Sequence, residues 1–131
     1  MENTRGLLSR PSPYPVRETA DRLEVILKSK GIRVFARIDQ AAEAAAAGLT
    51  MPAMELLIFG NPQGGTPVML ADPEAGIDLP LKALIWQDSN GKAWLAMNDP
   101  AYLQERFGLS NALIQPLAKA TVLLLAAVDL G

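Results

Sequence analysis

Lys82-Ala83-Leu84-Ile85-Trp86-Gln87-Asp88-Ser89-Asn90-Gly91-Lys92-Ala93-Trp94-Leu95-Ala96-Met97-Asn98 reads as two apolar strands joined by a tight polar turn. Glycine at the end of Asp88-Ser89-Asn90-Gly91 supplies the positive φ that such a turn requires. A two-residue Asn-Gly turn sets Trp86 opposite Leu95, whereas a three-residue loop sets Trp86 opposite Trp94. Asp at the first position and Gly at the last favour the second, a type I turn with a bulge. Two strands paired directly in a hairpin are antiparallel. That separates this chain from doubly wound parallel folds.

Working upstream, Met54-Glu55-Leu56-Leu57-Ile58-Phe59 is too apolar for an edge and is expected to be an interior strand. Between it and the hairpin, Gly60 to Pro80 reads as irregular chain holding one short helix opened by Thr66-Pro67. Ile32, Val34, Ala36 and Ile38 alternate with Arg33, Phe35 and Arg37, as in a strand with one buried face. Asp39 is placed to cap a helix from Gln40 to Ala47, and Gly48 to end it. Pro15 suits the first turn of a helix, whose apolar stripe is Val16, Ala20, Leu23 and Leu27 and whose stop is Gly31. Residues 1–14 are expected to be a loose or edge strand. Downstream, residues 99–107 and 110–130 read as helices, Pro116 marking a break or restart in the second. The sum is an α+β fold: an antiparallel sheet of about five strands backed by helices on one face.

The chain of 131 residues suits one domain, 1–131, with half its residues hydrophobic and a fifth charged. It contains no cysteine and no histidine, which removes disulfides, soft-metal sites and the usual neutral-pH base. A cytoplasmic location is expected. The formal charge is −2, although the Lys and Arg of residues 1–40 outnumber the acids by eight to five. That balance gives no support for nucleic-acid binding. The longest uncharged apolar run, Ala120 to Val128, is nine residues, short of the about 20 that span a bilayer, so a buried helix and no membrane role are expected.

Chemistry is most concentrated in Phe59-Gly60-Asn61-Pro62-Gln63-Gly64-Gly65-Thr66-Pro67. Its outline approaches a phosphate loop, but Thr66 stands where the lysine should be. What survives is a nest of main-chain N–H groups, with Thr66 capping a helix whose amides at 68 and 69 point outward toward an anion. A rigid connector is the plainer reading of the same glycines. Asp78 and Lys82, four residues apart around Pro80, have the residue types of an acid–base pair, although a salt bridge or solvated lysine is the simpler account. Asp99 before Pro100 reads as a helix cap. The carboxylates lack calcium-loop spacing, so no metal and no other cofactor is expected. Trp86 and Trp94 are expected in a core or interface, with a stacking platform as the alternative.

Ile38-Asp39-Gln40-Ala41-Ala42-Glu43, Leu56-Leu57-Ile58-Phe59-Gly60-Asn61-Pro62, Gly65-Thr66-Pro67, Asp78-Leu79-Pro80-Leu81-Lys82, Asp88 with Gly91-Lys92, and Asn98-Asp99-Pro100 with Tyr102-Leu103 resemble, in that order, domain of unknown function family 302 (DUF302). The resemblance covers about residues 6–107, leaving an apolar C-terminal helix, 110–130. It implies a TATA-binding-protein-like topology, a bacterial or archaeal source and a homodimer, and it implies no activity. In the family's pattern histidine stands where this chain has Gln40 and Phe107, and tyrosine where it has Met97. Any titrating role of those positions in relatives is therefore lost here.

The reading that follows is a non-catalytic, dimeric domain that binds a small anionic ligand through Gly60, Asn61, Gly64, Gly65 and Thr66, with Lys82 as counter-charge. An enzyme using Asp78 and Lys82, or Asp99, is the rival. A purely structural subunit assembled through the C-terminal helix is a third reading, since residues 122–128 are apolar all round.

Overall fold

The structure, a computed structural model, describes residues 5–129. Strands β1 (Leu7–Ser12), β2 (Arg33–Asp39), β3 (Met54–Gly60), β4 (Leu81–Gln87) and β5 (Ala93–Asn98) form one sheet in the order β1-β5-β4-β3-β2. Every neighbouring pair is antiparallel. Helices α1 (Val16–Ser29), α2 (Gln40–Ala46), α3 (Pro62–Ala71), α4 (Pro100–Phe107) and α5 (Asn111–Val128), with a short 3-10 helix at Pro73–Asp78, complete the described chain. All but α2 send side chains into one core against one sheet face. The fold is α+β, a five-stranded antiparallel sheet packed against helices.

The hairpin has the longer of its two expected loops. Trp86 pairs with Trp94, and their rings stack with centroids 6.3 Å apart. Gly91 takes φ +80°, and its N–H donates to Asp88 O at 3.0 Å. The Asp88 carboxylate accepts Trp94 Nε1–H at 2.8 Å and the amides of Asn90 and Lys92 at 2.9 Å. The Trp94 bond first, then the backbone bonds, hold that carboxylate below its ordinary range.

In α1 the expected stripe is buried, Leu23 and Leu27 completely, each contributing about 2 kcal/mol of apolar burial. Thr19 joins it because its hydroxyl is satisfied: Oγ1 lies 2.6 Å from Ser12 Oγ and donates to Tyr14 O. The helix stops as expected, with Gly31 at φ +72°. β1 is an edge strand that carries Pro11, where a missing N–H is tolerated.

β2 departs from simple alternation. The register shifts between Val34 and Ala36, so Val34 faces Phe59 while Arg37 faces Leu57. Phe35 is the extra residue of a β-bulge, and every side chain beyond it changes face. Ile32 and Val34 pack on the core as expected, but Ala36 and Ile38 stand opposite Ile58 and Leu56, away from the helices. Arg37 is turned toward α1 instead. There its Nε donates to Glu55 Oε1 at 2.6 Å and Nη1 to Asp21 Oδ1 at 2.7 Å and Glu24 Oε1 at 3.1 Å. Burial disfavours the guanidinium charge, but the bonds to Glu55, Asp21 and Glu24 outweigh it and hold the group above its ordinary value. Glu24, hydrogen-bonded first to Lys28 and then to Arg37, is held below the usual carboxylate range.

Three further expectations are corrected. The helix after β3 begins at Pro62, four residues before Thr66, and contains Pro67 in its interior. Helix α5 runs through Pro116 without a break. The proline forfeits one hydrogen bond near the helix start, which the buried stripe Ile114, Leu117, Thr121, Leu124 and Val128 outweighs. The same stripe answers the apolar circumference of α5: one side is packed, whereas Val122 is 65% exposed. By length and composition α5, alone among the described helices, is apolar enough to cross a membrane, and here it is a helix of the core with a third of it buried.

Candidate functional site

β3 ends in Gly60, which still pairs with Arg33, and Asn61 then caps α3. Asn61 Oδ1 accepts Gln63 N–H at 3.0 Å, and Asn61 O accepts the N–H groups of Gly64 at 2.8 Å and Gly65 at 2.9 Å. Pro62 has no N–H to offer. The donors expected to face an anion are therefore engaged at the helix start itself, and Thr66, expected to be the cap, is its fifth residue. Amides 68 and 69 lie in the second and third turns, where helical bonding uses them.

The glycines have a different purpose here. A Cβ on Gly64 would sit 3.1 Å from Pro116 Cβ, so its lack of a side chain lets α3 close on α5. At Gly60 a Cβ would meet Pro80 at 3.4 Å and the Phe35 ring at 3.6 Å. Pro80 follows a cis peptide bond from Leu79.

What these elements enclose is a pair of adjoining clefts. One of about 520 Å³ lies between the end of α1, the start of α3 and α5. Its apolar surface is Ile32, Leu81, Leu117, Ala120 and Leu123, with Lys30 and Lys119 and the amide side chains of Asn61 and Gln63 among its lining. The second, of about 310 Å³, is walled by Phe35, Met69, Leu79, Pro80 and Leu117, with Gly65 and Thr66 on the α3 side. Gly60, Asn61, Leu81 and Leu117 line both. No carboxylate lines either cleft. Lys30 follows α1 directly, at its electronegative end, and neither Lys30 nor Lys119 forms an ion pair among the described residues.

Gly60, Asn61, Gly64, Gly65 and Thr66 thus all line these clefts, as wall and packing contact and not as a nest of free amides. Lys82 does not. It alternates with the buried Leu81 and stands on the sheet face away from the helices, where its Nζ donates to Pro80 O at 3.3 Å. The cations at the larger cleft are Lys30 and Lys119, far from the loop in sequence. Sequence reasoning missed them; the signal that could have located their cleft is a second apolar stripe on α5, Pro116, Ala120 and Leu123, beyond what its core stripe requires.

The acid–base alternative loses its pairing. Asp78 Oδ2 accepts Arg106 Nη1–H at 2.9 Å, and Lys82 is bound to Pro80. Asp99 is a cap, accepting Ala101 N–H at 3.0 Å. Among the described residues no cluster of three or more Asp and Glu is arranged to hold a metal ion. Of the positions where the family pattern carries titrating side chains, Met97 is buried in the core, Gln40 opens α2 and Phe107 ends α4.

The sequence profile of the family described as "Domain of unknown function DUF302" matches residues 8–127, running on through α5. The "Fluoride-specific ion channel FluC 1" of Brucella suis biovar 1 (strain 1330) is 48% identical over 104 residues, 79% of this chain and 41% of that protein. Its namesake in Brucella abortus biovar 1 (strain 9-941) is also 48% identical over 104 residues, 38% of its length. The chain spans about two fifths of the length of these curated relatives. Among solved structures, the "Crystal structure of uncharacterized conserved protein DUF302 from Bacillus stearothermophilus" superposes with a TM-score of 0.79. That pair shares 26% identity over 96% of this chain and 98% of the other.

Proposed function

The chain belongs to the DUF302 family, and from that premise we propose that it is a binding domain for an anionic ligand with an apolar body, held in the cleft between α1, α3 and α5. One observation carries this reading. In a chain of net charge −2, the larger cleft gathers two lysines that have no ion-pair partner among the described residues and not one carboxylate, above an apolar floor. A ligand burying several methylenes on Ile32, Leu117 and Leu123 gains about 0.8 kcal/mol for each. Its anionic head then gains on the order of 1 kcal/mol from each exposed lysine, about fivefold in affinity apiece. The linings offer contact and charge, with Thr66 as their only hydroxyl, so binding is the better reading than group transfer.

The relatives named fluoride-specific ion channels are more than twice as long as their match to this chain, and fluoride enters here as a comparison anion. A bare hydrated ion gains nothing from an apolar floor. The test is titration of the full chain with octanoate, octanol and sodium fluoride, followed by methyl and amide NMR. Octanoate is expected to shift Ile32, Leu117 and Leu123, octanol more weakly, and Lys30→Gln with Lys119→Gln to weaken octanoate binding at least tenfold. Equal binding of octanol and octanoate, or octanoate shifts confined to other residues, would overturn the reading. Shifts at Asn61 and Gln63 with fluoride alone would replace it with a small-anion site.

A further inference from the structure

The second cleft, walled by Phe35, Met69, Leu79 and Pro80, has no ionisable side chain in its lining. Its only polar side chains are Thr66 and Asn61, and Asn61 Oδ1 already accepts Gln63 N–H. Phe35 is 44% exposed and Met69 38%, so two large apolar walls stand in water. Arg33 stacks on Phe35, its Cζ 5.1 Å from the ring centroid, but does not line the cleft. Charge therefore sits at one end of the pair, with Lys30 and Lys119 in the first cleft alone.

Glycine keeps the second cleft open. Gly65 lies inside α3, where glycine weakens a helix relative to alanine. Packing does not require it: a Cβ would meet Met69 Cε at 3.9 Å and Leu79 Cδ1 at 4.0 Å, ordinary contact distances. Both atoms belong to walls of the cleft, so a side chain at 65 would grow into it. Gly64 differs, because Pro116 at 3.1 Å accounts for it. Gly60 leaves space on the wall that the two clefts share, where a Cβ would point at Pro80 and Phe35.

We propose that the second cleft takes the tail of the ligand whose anionic head lies in the first. The ligand is then a single unbranched hydrocarbon chain ending in one anionic group, as in a medium- or long-chain fatty acid. This rests on the anion-binding reading of the first cleft and adds the shape of the apolar body, with Gly65 setting the length accepted. The clefts share Gly60, Asn61, Leu81 and Leu117 and then part, one toward α1 and α5, the other toward Leu79 and Pro80. A chain that bends follows both, whereas a compact ring system fills one and leaves the other to water. Each volume falls in the range of about 300–1,000 Å³ usual for small-molecule sites. Met69, unbranched and adaptable, suits contact with a tail end.

The experiment compares octanoate, dodecanoate and adamantane-1-acetate, a cage with the carbon count of dodecanoate, by calorimetry and methyl NMR on the full chain. Each methylene taken from water is worth about fourfold in affinity. Dodecanoate is expected to bind at least tenfold more tightly than octanoate or the cage, and to shift the Met69 and Leu79 methyls more than octanoate does. Gly65→Leu, which fills the second cleft, is expected to cut the dodecanoate preference over octanoate to below threefold. Should Gly65→Leu fail to fold, the Met69 and Leu79 shifts of the unsubstituted chain decide. Dodecyl phosphate tells the head group: whichever of it and dodecanoate binds more tightly, with its tail at Met69, supports the proposal and names the anion. Equal affinity for octanoate and dodecanoate, an equally tight cage, or an unchanged preference in folded Gly65→Leu would overturn the proposal and leave the first cleft's reading standing. Octanoate that fails to bind at Ile32, Leu117 and Leu123 would overturn both. So would dodecanoate binding lost in Arg33→Gln but kept in Lys30→Gln/Lys119→Gln, since that turns the ligand around.

Discussion

Replacing Arg37 by leucine removes the one side chain that holds Glu55, whose carboxylate is 6% exposed and accepts Arg37 Nε–H at 2.6 Å. Unit charges about 4 Å apart at an effective dielectric of about 20 attract by about 4 kcal/mol. Arg37 is itself 23% exposed, so solvent screening lowers that figure. Asp21, more than half exposed, adds only a few tenths of a kcal/mol. Most of the effect is the stranding of Glu55 as an unpaired buried charge, and Arg37→Leu is expected to cost about 3 kcal/mol. For a domain of this size that corresponds to a fall in Tm of about 10 °C. Leucine at both positions exchanges the ion pair for apolar contact, and Arg37→Leu/Glu55→Leu is expected to recover about 2 kcal/mol of the loss. Urea denaturation followed by circular dichroism measures Arg37→Leu, Glu55→Leu and the double mutant, with an unchanged m-value as the condition for comparison. A single-mutant loss below about 1 kcal/mol, or a double mutant as unstable as the summed singles, would refute the argument.

Two neighbouring glycines should respond with opposite sign. At Gly65 a Cβ meets Met69 and Leu79 at 3.9 and 4.0 Å, so Gly65→Ala is expected to stabilise by about 0.5–1 kcal/mol through helix propensity. At Gly64 the 3.1 Å approach to Pro116 makes Gly64→Ala destabilising by about 1 kcal/mol net, overpacking exceeding the same propensity gain; equal shifts in thermal melting would contradict this. The third test concerns Asp88, whose folded-state value is depressed by Trp94 and the turn amides. Its stabilisation is therefore complete above the ordinary unfolded value near about 3.9 and is lost as pH falls through the lower folded one. The near-UV dichroism of the stacked tryptophans should hold constant from pH 7 to pH 5 and decline only below about 4, and Asp88→Ala should abolish that acid step. A change between pH 7 and pH 5 would count against the lock.

Elements whose boundaries depend on local chemistry were legible. Asp88 and Gly91 set the register of the hairpin, and the stripe from Val16 to Leu27 was the buried stripe of α1. Asp39 caps α2 as its sequence suggests. The start of α3 was not legible, because Asn61-Pro62 and Thr66-Pro67 are two caps of similar quality four residues apart. The choice between them is made by packing of Gly64 on Pro116, 52 residues away. Arg37 was assigned to the solvent face because strict alternation puts it there; only pairing with β3 reveals the added residue. The cleft shows the same limit. The loop 60–66 was conspicuous by its punctuation, whereas Lys30, Ile32 and Lys119 become its neighbours only once α1 and α5 are in place.

The bulge at Phe35 gives β2 a parity. Upstream of it odd positions look outward, downstream of it odd positions look inward, and the one supernumerary residue also lends its ring to a cleft wall. Removing Phe35 alone would thus join Val34 to Ala36 in unbroken alternation, keep Arg37 among its carboxylates and Ala36 and Ile38 outward, and cost the molecule only the ring in the cleft wall. Homologous chains should therefore tolerate loss of this one residue more readily than a single deletion among the paired residues on either side of it.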